Sequence, residues 1–181
     1  MRVAITGSTG LIGAAIAAHI DAAGHALLRL GRAPGSDVRV DLAADQRLAP
    51  GALSGCDALV HAAGVTGEDF ADPAAARAKS ERGARALLQA AAEAGVGNLA
   101  YVSSAHVYGP LEGVIDESRP AAPRSDYARA HRATEALFEA AANARVLVAR
   151  PCAVYGMPPL LGRFARWSLI PFDFPDRKSV V

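Results

Sequence analysis

Cysteine is scarce: two in 181 residues, Cys56 and Cys152, far apart and in no CxxC pair. That rules out a disulfide scaffold, and with no signal peptide in view two reduced thiols in a cytoplasmic protein are expected. The five histidines, His19, His25, His61, His106 and His131, fall in no HExxH or other ligand-like pairing, so no metal site is expected. Neither charge sign dominates, with 19 Lys+Arg against 18 Asp+Glu and a net charge of +1. Such a balance gives no reason to expect a nucleic acid or an anionic membrane as partner. No apolar run reaches the ~18 residues of a bilayer span. There is no internal repeat, and the abundant alanine follows helical periodicity, so it does not mark low complexity.

What is present is an ordinary globular balance of 51% apolar and 20% charged residues. A chain of this length fits one domain that buries roughly 70% of its unfolded surface. Short apolar, β-prone runs lie at Val3–Thr6 and in "HALLRLGR", "DVRVDLA" (ending near Asp41), "CDALVHAAG", "NLAYVSSAHVYG" and "ARVLVARP". Helical patterns lie over 10–23, 73–94 and 126–142, the last with Ser125 or Asp126 as N-cap. Strands alternating with helices from residue 2 to residue 150 predict an α/β fold, a parallel sheet with helices on both faces.

The stretch "TGSTGLIG" places Gly7, Gly10 and Gly13 between the first strand and the first helix. A dinucleotide pyrophosphate must approach backbone N–H groups at a helix N-terminus, where a Cβ would block it. The context, strand before and helix after at the head of a βαβ run, makes Gly7, Ser8, Thr9, Gly10, Leu11, Ile12 and Gly13 a candidate phosphate cradle. At the end of the second strand an acid would bind a ribose 2′-OH and an arginine a 2′-phosphate. Here "RLGRAPG" offers Arg32 and no acid, which favours NADP over NAD. Further on, Tyr127 and His131 stand four residues apart, on one helical face.

Together "TGSTGLIG", "VDLAAD", "VHAAG", "YVSSAHVYG", "DESRPAAPRSDYARAHRATE" and "RPCAVYG" occur in order over roughly residues 2–156. The chain thereby resembles the extended short-chain dehydrogenase/reductases, in particular the NAD(P)-dependent epimerase/dehydratase family. The resemblance implies a Rossmann-type doubly wound sheet over residues 1–156 and the start of a C-terminal substrate region over 157–181, most of which is missing. It implies that Tyr127 is the catalytic acid/base, that Ser104 is the hydroxyl that hydrogen-bonds the reacting oxygen, and that Asp41, Leu42, Ala62 and Ala63 contact the cofactor. It further implies a small-molecule substrate such as a nucleotide sugar, and a homodimer through helices 73–94 and 126–142.

The chain departs from the family pattern at His131, which occupies the place of a lysine whose charge lowers the tyrosine pKa and which holds the nicotinamide ribose. A phenol with an ordinary pKa near ~10 is a poor base at neutral pH. An imidazole with an ordinary pKa near ~6.5 is mostly uncharged at pH 7, yet still donates one hydrogen bond to a ribose hydroxyl. Ser80 stands where the family commonly has a longer asparagine. The apolar stretch "FARWSLIPFDF" must pack on the core, pair with another chain or stay partly exposed. Two functions follow as expectations: an NAD(P)-dependent epimerase, dehydratase or reductase using Tyr127, Ser104 and His131, or a dinucleotide-binding protein with little catalysis, completed by a partner chain.

Overall fold

The computed structural model describes residues 1–44, 47–65 and 67–154. The strands are β1 (Arg2–Thr6), β2 (Ala26–Gly31), β3 (Val38–Arg39), β4 (Ala58–His61), β5 (Asn98–Val102) and β6 (Arg145–Ala149). The helices are α1 (Leu11–Ala22), α2 (Pro73–Glu93) and α3 (Asp126–Glu139), and two 3-10 turns cover Gly67–Ala71 and Ala105–Tyr108. The predicted apolar stretch after Gly156 lies outside the described residues, as does the expected boundary at 156/157.

The six strands form one parallel sheet in the order β3-β2-β1-β4-β5-β6. The chain thus starts at the centre, winds to one edge, returns, and winds to the other. With right-handed crossovers this puts α1 on one face and α2 and α3 on the opposite face. Such an arrangement is the doubly wound Rossmann-type architecture that the sequence predicts, with a switch point between β1 and β4.

Both faces of β1 are buried, so the strand is apolar without alternation. Val3 and Ile5 lie on one side of the pleat and Ala4 on the other, all nearly inaccessible. Ala4 joins the larger core with Leu28, Leu59, Leu99 and Tyr101 from the sheet and Ala84, Leu87 and Phe138 from the helices. Two helix starts are capped by side chains: Asp72 Oδ1 accepts the Ala75 N–H ahead of α2, with Pro73 in the first turn, and Ser125 Oγ accepts the Ala128 N–H ahead of α3.

Three expectations are corrected. Among the described residues no helix separates β2 from β3 or β3 from β4, so strict alternation holds only for β1-α1-β2, β4-α2-β5 and β5-α3-β6. The strand expected to run to near Asp41 pairs only over Val38–Arg39. It is an edge strand with a single neighbour, and Asp41 Oδ1 accepts the Ala43 N–H in a local turn that bends the chain out of the sheet. Helix α3 stops at Glu139, short of Ala142, and the chain reverses through Asn143 in the left-handed region (φ 62°) before β6.

Candidate functional site

In a parallel sheet every strand ends on the same edge, and the candidate residues follow those ends. The glycine turn follows β1, Arg32 follows β2, Asp41 and Leu42 follow β3, Ala62 and Ala63 follow β4, and Ser104 follows β5. Helix α3 runs back from that edge, so Tyr127 in its first turn lies there too.

The glycine turn is built backbone against backbone. Gly7 has φ +72°, and a Cβ there would come within 2.6 Å of the Ala62 carbonyl carbon and the Ala63 nitrogen. A Cβ on Gly13 would lie 2.1 Å from the Gly7 carbonyl oxygen, so α1 sits directly on the turn. At Gly10, by contrast, a Cβ would meet nothing of the protein nearer than 3.4 Å. Gly10 is the N-cap of α1, yet no side chain caps that helix and no acidic residue occupies its first turn. A twelve-residue helix that opens this way presents bare N–H groups and the positive end of its dipole. Open space at Gly10 and an uncapped positive terminus fit a pyrophosphate, whereas α2 and α3 satisfy the same need with Asp72 and Ser125.

Thr6 fixes the far wall. Its hydroxyl accepts the Ala63 N–H at 3.2 Å and hydrogen-bonds His61 Nδ1 at 2.7 Å. Arg32 is 74% exposed and reaches Asp41 at 4.0 Å. The two ends of β2 and β3 thus carry a loosely paired cation and anion at the rim. Leu42 lines a small hollow with Ala63, Val65, Ser80 and Gly83, and a Cβ on Gly83 would press to 2.9 Å on the Leu42 carbonyl.

At the other end Tyr127 is half-buried and packs edge-on against three rings: His131 with centroids 4.5 Å apart, Phe70 at 5.9 Å and His106 at 6.1 Å. Ser104 is buried, and its Oγ accepts the His106 N–H at 3.3 Å. Ser104 and Tyr127 are therefore joined through His106, whose backbone one holds and whose ring the other touches. His131, four residues along α3, is buried and hydrogen-bonds the Tyr101 phenol through Nδ1 at 2.7 Å.

Below these residues lies polar structure that sequence reasoning missed. Glu135 is fully buried and takes a bidentate pair from Arg150, Nε to Oε1 at 2.9 Å and Nη2 to Oε2 at 2.8 Å. Ser103 donates to it at 2.6 Å, and Arg132 reaches Oε2 at 3.3 Å. Burial alone would raise the Glu135 carboxyl. The hydrogen bonds from Arg150 and Ser103, with the charges of Arg150 and Arg132, outweigh it and hold the group below the usual carboxylate range. Because Ser103 precedes Ser104, this clamp ties the end of β5 to α3. Arg150 also lies over the Tyr108 ring, 4.7 Å from its centroid.

Burial, and then the nearby imidazole of His131, push His61 down to about 4. Burial pushes Tyr101 well above the usual phenol value. Ser80, which stands where the family commonly has a longer asparagine, hydrogen-bonds Thr134 at 2.9 Å. A sequence signal for part of this existed: Tyr127, His131, Thr134, Glu135 and Phe138 recur at helical spacing, and polar residues on the buried stripe of a helix demand partners. Among the described residues no cluster of His, Cys, Asp and Glu could hold a metal, and no helix is long and apolar enough to cross a membrane.

Residues 3–166 match the model of the NAD dependent epimerase/dehydratase family. No curated protein matches the chain. Among solved structures it is similar to RMD from Pseudomonas aeruginosa complexed with NADPH, at 32% identity and a TM-score of 0.71, over 93% of this chain and 60% of that one. It is also similar to a double mutant of DesIV, a dTDP-glucose 4,6-dehydratase from Streptomyces venezuelae with NAD and DAU bound (27% identity, TM-score 0.74, 97% of this chain and 62% of that one). A third is MoeE5 in complex with UDP-glucose and NAD (26% identity, TM-score 0.70, 82% of this chain and 52% of that one). The chain spans about half to three-fifths of the length of these structures.

Proposed function

The chain belongs to the NAD dependent epimerase/dehydratase family, and from that premise we propose that it binds a nicotinamide dinucleotide in the Gly7–Gly13 turn and acts on a nucleotide-sugar-like alcohol or ketone. The observation that carries this reading is the uncapped start of α1 behind Gly10, on the sheet edge where Ser104 and Tyr127 also lie. Similar structures hold NAD or NADPH, and one holds UDP-glucose. We take residues 1–156 as the dinucleotide-binding unit and assign a cytoplasmic homodimer packed through α2 and α3.

Ser8, Thr9, Leu11 and Ile12 would supply turn N–H groups to the pyrophosphate. Asp41, Leu42, Ala62 and Ala63 would flank the adenosine and the nicotinamide half. Arg32 would take a 2′-phosphate, exchanging its loose pairing with Asp41 for a charge-assisted one. A nicotinamide dinucleotide, when bound, supplies the acceptor and donor of a hydride. Tyr127 would remove the hydroxyl proton of a carbinol as the hydride leaves its carbon, and return it to the oxygen in the reverse direction. Ser104 would donate a hydrogen bond to that oxygen, and His131 would hold the ribose in place of the family lysine.

A second reading, a dinucleotide-binding protein of little activity, is favoured by His131, whose ring is buried against Tyr101 rather than presented as a mobile cation. Titration with NADPH and NADH tests the binding. NADPH is expected to bind more tightly, with Arg32→Ala lowering its affinity roughly 10- to 100-fold and leaving NADH unchanged, the loss of a charge-assisted hydrogen bond or two. No binding of either dinucleotide would overturn the proposal. Turnover that rises in His131→Lys would assign the wild-type chain to the weak-enzyme reading.

A further inference from the structure

The imidazole of His131 lies between two phenols, Tyr127 at 4.5 Å and Tyr101 at 5.9 Å between ring centroids. Tyr127 is the phenol that the resemblance makes the acid/base, whereas Tyr101 opens the "YVSSAHVYG" stretch and has no role assigned to it. Tyr101 is on β5, 2% exposed, stacked with His61 at 5.5 Å and Phe138 at 5.2 Å. The three rings form one cluster, with His61 and Phe138 themselves 5.8 Å apart, and the Tyr101 hydroxyl lies 2.7 Å from His131 Nδ1.

We propose that Tyr101 is the positioning residue for His131: it donates its O–H to Nδ1 and so locks the neutral imidazole as the tautomer with its proton on Nε2. This rests on the reading of His131 as the residue that holds the cofactor ribose.

Proton accounting supports the direction of the bond. The Thr134 hydroxyl donates to the Ala130 carbonyl at 3.1 Å, so its single proton is committed. Ser80 must then supply the proton in its 2.9 Å bond to Thr134. Thr134 also faces the Tyr101 hydroxyl, but an imidazole nitrogen is a far stronger acceptor than an alcohol oxygen already accepting from Ser80. Tyr101, kept protonated by burial, has one proton to give and Nδ1 is the better place for it. The alternative, Nδ1–H donating to the phenol, would leave Nε2 without a proton in the neutral ring, and an acceptor there cannot stand in for a lysine ammonium as a donor. By this count the protons of Ser80 and Thr134 end on the Ala130 carbonyl, and that of Tyr101 ends on one nitrogen of the His131 ring.

The test is a two-bond ¹H–¹⁵N correlation of the histidine rings in the full chain at pH 7.5, with and without NADPH, on wild type and Tyr101→Phe. Phe keeps the ring stack and removes the donor. In the wild type, His131 Nδ1 is expected in the unprotonated, hydrogen-bond-accepting range and Nε2 in the protonated range. In Y101F the single tautomer is expected to give way to a mixture, and the NADPH dissociation constant to rise about fivefold, the worth of one ordinary hydrogen bond. A protonated Nδ1 in the wild type overturns the proposal, and so does a Y101F chain with unchanged tautomer or unchanged NADPH affinity. If Y101F does not fold, the wild-type spectrum alone decides. Failure of the wild type to bind NADPH would strike the proposed function, while the ring shifts would still report the bond.

Discussion

Acid should weaken this fold through His61. The side chain is 4% exposed, bonded to Thr6 and stacked on Tyr101 and Phe138. Its folded value of about 4 lies below the ordinary 6.5. Between those values the unfolded chain binds the proton and the folded chain does not, so stability rises with pH there and falls as pH drops from about 6.5 toward 4. From the two values, this one group costs the fold about 1 kcal/mol at pH 6 and about 2 kcal/mol at pH 5 relative to neutral solution. Urea denaturation of wild type and His61→Gln at pH 7, 6 and 5 isolates the effect, because the other titrating groups are common to both. The variant is expected to be less stable at pH 7, having lost the ring stack, and the gap should narrow by about 2 kcal/mol on going to pH 5. A gap constant to within about 0.5 kcal/mol over that range would refute the assignment of a buried, neutral His61.

Two further substitutions separate site from scaffold. Gly10→Ala places its Cβ in open space, so it should leave the thermal midpoint nearly unchanged and abolish dinucleotide binding. Gly13→Ala drives a Cβ onto the Gly7 carbonyl and should cost about 3 kcal/mol or more of stability, read by the same denaturation. Glu135→Gln leaves the Arg150 guanidinium with half a partner in a buried place, at an expected cost of about 3 kcal/mol. Adding Arg150→Met to it should recover part of that loss, whereas strictly additive losses would mean that the pair is not coupled.

Most of the sheet could be read from the chain because β1, β4, β5 and β6 are short apolar runs, and the β1–β2, β4–β5 and β5–β6 neighbours are each one crossover apart. The glycine turn was legible for a local reason too: its spacing, its strand and its helix are contiguous. Strand β3 was over-read because the alternation in "DVRVDLA" looks like pairing, while the Asp41 turn that ends it acts through one side chain. The partners of Tyr101 and Glu135 were illegible for the opposite reason, although the place of Glu135 on the buried stripe of α3 was a signal that it needs some. Each of the two looks like an ordinary member of its element, and their partners, His131 for one and Ser103 and Arg150 for the other, lie on different elements. Ser80 was judged by its length, but its reach is decided by how near α2 lies to Thr134 on α3, which only the packing reveals.

The cradle at Gly7 is assembled from three segments that are distant in sequence: the end of β1, the start of α1 and the Ala62–Ala63 stretch after β4. None of these makes the cradle alone, so a ligand gripped there engages the completed fold and no partly folded chain. Binding of that kind acts by mass action on the folded population. A dinucleotide present at a hundred times its dissociation constant would add about 2.7 kcal/mol to the free energy of unfolding. The concentration of dinucleotide around the chain would then set how much of it survives proteolysis, as well as how much of it is occupied.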